Sequence, residues 1–108
     1  MTDRELLELA AKACGNGAQW DCPERGMMVL TPDGIDTMTW NPLADDGDAL
    51  CLVVKLRLHL GIESNVANAW HPNDFPNFQT TIFAHHGEEA ATRRAIVMAA
   101  AHIGKAMP

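Results

Sequence analysis

Hydrophobic residues recur along this chain in two periods, one helical and one sheet-like, and the changes of period divide it into elements. Leu6, Leu9, Ala10 and Ala13 fall on one side of a helix, Thr2 and Glu5 form a T-x-x-E capping box at its start, and Gly15 closes it. Residues 16–26 mix Gly, Asn, Asp and Pro around Trp20. This composition predicts an ordered loop whose indole packs down on the core instead of serving as a ligand platform. Met27-Met28-Val29-Leu30 has strand character and Pro32-Asp33-Gly34 is a turn signal. Ile35 to Trp40 then returns as a second, shorter strand with Met38 and Trp40 on one face.

The stretch Trp40 to Leu60 organises the rest. Pro42 restricts Asn41 to extended or turn backbone, and Asp45, Asp46 and Asp48 place carboxylates where a helix start presents unpaired N–H groups and positive dipole. Ala49, Leu52, Val53, Leu56 and Leu60 then follow helical spacing, with Asp48, Lys55 and His59 opposite and Gly61 as the closing cap. A strand competes at the far end, since Leu56 to Leu60 alternates and Val53-Val54 favours sheet. Length and the acidic start favour helix. Ile62 to Trp70 and Gln79 to His85 read as a pair of strands, joined by an exposed Pro- and Asn-rich connection, 71–78, with two aromatic plugs. After Gly87 the last helix opens with Glu88-Glu89 and closes with His102 and Lys105. Ile96, Ala100, Ile103 and Met107 form its apolar stripe, and Glu89 and Arg93 are spaced for an ion pair.

Composition narrows the class. At 108 residues and 47% hydrophobic content the chain reads as a single domain, 1–108, able to bury one core. A formal charge of −6, with Arg93-Arg94 the one adjacent pair of bases, argues against direct nucleic-acid binding. No apolar run approaches the ~20 residues that cross a bilayer, and Met1-Thr2-Asp3-Arg4-Glu5 lacks a secretion signal's order, so the expectation is a soluble cytoplasmic protein with no membrane partner. Cys14, Cys22 and Cys51 are odd in number and lack CxxC spacing, which fits reduced thiols, with Cys51 read as core filler. A zinc site from Cys14, Cys22 and His85 or His86 matches no ligand template.

Chemical candidates are few. Asp45, Asp46 and Asp48 offer hard oxygen ligands, but without the bidentate Glu of a calcium loop they read as helix caps. His71, Asp74, His85 and His86 flank the proposed strand pair and would meet at one end of the sheet, where imidazole serves as a base near neutral pH. No nucleophile, oxyanion hole or phosphate-cradling loop accompanies them. Trp70, Phe75 and Phe78 lie on or near a loop and would anchor a partner if exposed, or act as lids over the sheet if buried. Mimicry of nucleic acid is disfavoured because the acidic residues form no long run.

Trp40-Asn41-Pro42-Leu43-Ala44-Asp45-Asp46-Gly47-Asp48-Ala49-Leu50, followed by Val54-Lys55-Leu56, resembles the phage ABA sandwich domain proteins, as do Ala91 to Val97 and Ala99 to Gly104. These are small proteins of tailed bacteriophages and prophages. The resemblance covers nearly the whole chain and is most specific in W-N-P-L-x-D-D-G-D-A. It implies a sheet sandwiched between helices and brings no assigned activity, catalytic residue, cofactor or metal. Cys14 and Cys51 stand where such proteins often have Ala or Arg, and His85-His86 is particular to this chain. The combined expectation is an α/β (α+β) helix-sheet-helix sandwich with three helices and an antiparallel sheet of three to four strands. It would be a non-catalytic phage or prophage accessory protein that binds a phage or host partner through Trp70, His71, Asp74, Phe75, Phe78, His85 and His86. The alternative is a small metal- or ligand-dependent enzyme built on His71, Asp74, His85 and His86.

Overall fold

Three helices and two three-stranded antiparallel sheets form a mixed α+β fold in this computed structural model, which describes residues 1–81 and 87–108 apart from the side chains of 74–76 and 81. The last helix, α3 (Glu88–Ala106), holds the molecule together. It buries Ala91, Ala95, Ile96, Val97, Ala99, Ala100, Ala101 and Gly104. Small side chains on several sides allow it to be packed on several sides. Against it lies α1 (Asp3–Cys14), capped by Thr2, whose hydroxyl accepts from Glu5 N, and closed by Gly15 at φ 70°. The Glu5 side chain returns to the Thr2 hydroxyl. The two helices run the same way: Arg94 donates to Asp3 at one end, Gly104 sits against Leu9 further along, and Lys12 Nζ donates to the Met107 carbonyl at the other end.

The first sheet is β1 (Gln19–Trp20), β2 (Met27–Leu30) and β3 (Thr37–Thr39), in that order. The hairpin expected around Pro32-Asp33-Gly34 is present, with Val29 opposite Met38. Residues 16–26 are more ordered than the loop expected of them, because Gln19 and Trp20 pair with Met28 and Met27. Trp20 is partly buried on the core, as expected, with the Arg4 guanidinium 4.9 Å above its ring.

The Trp40 lead-in is tightly tied. Trp40 and Pro42 are buried, Trp40 N donates to Met27 O, and the Asn41 side chain accepts from Leu43 N. Next comes α2 (Asp46–Leu56), with Asp45 as N-cap accepting from Asp48 N at 2.9 Å. Its end differs from the expected run to Leu60 with a Gly61 cap. Arg57 turns left-handed, Leu58 N bonds back to Val53 O, and His59 to Ile62 form a strand. The alternating pattern prevails there because pairing with the next strand satisfies the backbone groups on one side of this one while Leu60 and Ile62 join the apolar face of the sheet.

That strand, β4 (His59–Ile62), opens the second sheet, ordered β4-β5-β6 with β5 (Val66–His71) and β6 (Asp74–Thr81). The expected exposed connection over 71–78 is instead a two-residue turn, Pro72-Asn73, and most of a strand. Pro76 is tolerated because β6 is an edge strand, where a missing N–H need not break a ladder. The expected pairing of two strands here is present, although Ile62 belongs to β4 and residues 82–85 lie outside the described residues. Opposed pairs place Leu60, Ile62, Ala67, Ala69, Phe78 and Thr80 on one face. That face meets α3, where Thr80 Oγ1 donates to the Ala91 carbonyl and the Phe78 ring lies 5.4 Å from His102. None of the described helices is long and apolar enough to cross a membrane.

Candidate functional site

Of the residues that the sequence offers as a surface, Trp70 and Phe78 lie on opposite faces of the second sheet. Trp70, on β5, faces away from α3; its indole lies over Gly61, 5.8 Å from the His59 ring, and is partly exposed. Phe78, on β6, points the other way and packs against the core. His71 and Asp74 face each other across the Pro72-Asn73 turn, and His71 Nδ1 accepts from Asn73 N. Beyond this backbone pairing, the side chains of Asp74 and Phe75 lie outside what is described, as do His85 and His86 entirely.

Other candidate ligands are engaged structurally. Asp45 caps α2, Asp48 Oδ2 accepts from Asn41 N, and Asp46 takes the Arg93 guanidinium. Arg93 also donates to the Leu43 carbonyl, so it ties α3 to the loop before α2 and does not pair with Glu89 as its spacing predicts. Tertiary partners fix the guanidinium where the helix-surface pair would leave it in water. With Arg94 bound to Asp3, both adjacent arginines are fasteners. The three thiols are free, Cys14 buried and Cys22 partly buried. Cys51 is exposed and is therefore not core filler. The α2 stripe through Ala49 and Leu52 puts position 51 on the far side of the helix. Burial pushes the Cys14 thiol above its ordinary range, with Lys55 partly opposing. Among the described residues no three His, Cys, Asp or Glu side chains come together as a metal site.

A concave apolar surface forms elsewhere. Ala49, Leu50 and Val53 of α2, Leu60 and Ile62 of β4, and Ile96 of α3 line an open groove of about 370 Å³. Its geometry follows from the sheet. The apolar face that α3 covers on β5 and β6 continues onto β4, and there the cover runs out, leaving Leu60 39% and Ile62 58% exposed. On the facing side Leu50 is 60% exposed. Solitary exposed aliphatics are ordinary, whereas Leu50, Leu60 and Ile62 line one groove together. At one end stand Asp46, Glu88, Glu89, Thr92 and Arg93. A second concavity, beside the first sheet, is lined by Asp21 and Arg25, which pair with each other. Sequence reading missed the groove, although Leu50 on the polar side of α2 was a visible signal.

No protein-family model, curated protein or solved structure matches this chain. The fold and groove define it as an α+β domain with an open apolar groove.

Proposed function

We propose that this chain is a non-catalytic binding or assembly module that docks a protein partner in the groove between α2 and β4. The observation that carries the reading is the joint exposure of Leu50, Leu60 and Ile62 around one concavity. Burying such side chains releases roughly 25 cal/mol per Å² of apolar surface, the main favourable term in association. In origin the protein is a phage or prophage accessory protein acting in the cytoplasm of a bacterial host, a reading supported by the W-N-P-L-A-D-D-G-D-A segment. The partner is accordingly sought among phage and host proteins.

Affinity capture from infected and uninfected bacterial lysate tests this, comparing the wild-type chain with Leu50→Glu/Ile62→Glu. Both positions are exposed, so the double variant should keep its melting temperature within a few degrees. Expected is a protein retained by the wild type and lost with the variant. Retention of the same proteins by both would remove the groove from the function.

A further inference from the structure

We infer that the groove receives an amphipathic helix bearing Lys or Arg at the end that lies beside Glu88 and Glu89. This rests on the docking reading above and specifies the partner's chemistry.

Shape selects a helix. One wall is a helix, α2; the other is the uncovered strand β4; and Ile96 of α3 lies at the base. A helix laid here would continue the layer that α3 starts under β5 and β6, and its i, i+3, i+4 and i+7 side chains would reach Leu50 and Ile62 together. A strand added to the edge of β4 would use the backbone of β4 but leave Leu50 and Val53 unsatisfied.

Charge selects its sign. Arg93, the only base lining the groove among the described residues, is held by Asp46 and by the Leu43 carbonyl. Glu88 and Glu89 have no ion-pair partner among the described residues. The N-terminal dipole of α3 offsets only about half a unit of negative charge. Among the described residues the rim therefore keeps a negative surplus, which favours a cationic end and penalises an acidic one. A second copy of this chain is a poor occupant, since each brings a net charge of −6.

The test uses two labelled helical peptides of about 18 residues with one shared leucine stripe, differing only in Lys or Glu at three positions of the terminal turn. Each is titrated with the full chain and followed by fluorescence anisotropy. The Lys peptide should bind at least about tenfold tighter than the Glu peptide. Glu88→Gln/Glu89→Gln should abolish that ratio, whereas Asp33→Asn/Asp36→Asn, which removes two charges on the β2–β3 hairpin, should preserve it. Leu50→Glu/Ile62→Glu should weaken both peptides. Equal affinities for the two peptides, or a ratio that Glu88→Gln/Glu89→Gln leaves intact, would overturn the inference and leave the docking reading standing. Binding of neither peptide, or a dimer in sedimentation velocity that Leu50→Glu/Ile62→Glu dissolves, would overturn it as well. Loss of groove-dependent capture from lysate would be the separate failure of the docking reading.

Discussion

Arg57 is the one non-glycine residue with positive φ among those described, at φ 56° and ψ 46°, where it ends α2 and turns the chain into β4. A Cβ in this region clashes with the following carbonyl, which is why glycine usually fills the position. Arg57→Gly is expected to raise the unfolding free energy by about 0.5–1 kcal/mol in urea denaturation, after the added freedom of the unfolded chain is subtracted. A loss of stability would mean that the Arg57 side chain carries an interaction outweighing the strain. The thiols make a second test at this scale. Cys51 is exposed, while Cys14 is buried and its thiol held protonated to higher pH than usual. An alkylating reagent at mildly alkaline pH should modify Cys51 well before Cys14, with peptide mass mapping as the readout. Equal rates would show that α1 frays at its end. The position of Cys51 was legible in principle, since the buried Ala49 and Leu52 define a helix face that excludes it. The conformation of Arg57 was not, because nothing local requires arginine to turn left-handed.

Among the elements, the helices were the easier to read. Thr2, Gly15, Asp45 and the acidic opening of α3 are local signals, since caps act within one turn, and each marks the boundary it predicts. The boundary between α2 and β4 went the other way. Leu56 to Leu60 carries both periods, and the ladder His59 with Trp70 and Leu60 with Ala69 decides between them. How close two helices lie was equally invisible. A Cβ at Gly104 would overlap the Leu9 carbonyl of α1. Helix propensity alone makes Gly104→Ala stabilising by about 1 kcal/mol. Overpacking at this crossing costs about 1–3 kcal/mol, so a net loss with a lower melting temperature is expected. A gain would show that α1 and α3 separate without penalty.

At the scale of the whole molecule, the groove is a consequence of unequal widths. The second sheet is three strands wide, one helix covers two of them, and α2 stands beside that helix instead of beneath β4. Hence the capture and peptide experiments address a surface that no single element possesses. The sequence by itself determined the helix starts, the β2–β3 hairpin, the acidic character and the mixed α+β class, because caps, turns and periods act over a few residues. Only the tertiary structure decided where α2 yields to β4, that Asp74–Thr81 extends as an edge strand, and which carboxylate Arg93 takes. It also decided that Leu50, Leu60 and Ile62 share one opening. Each of these depends on segments distant in sequence meeting in space, so a pattern read within one window carries no information about them.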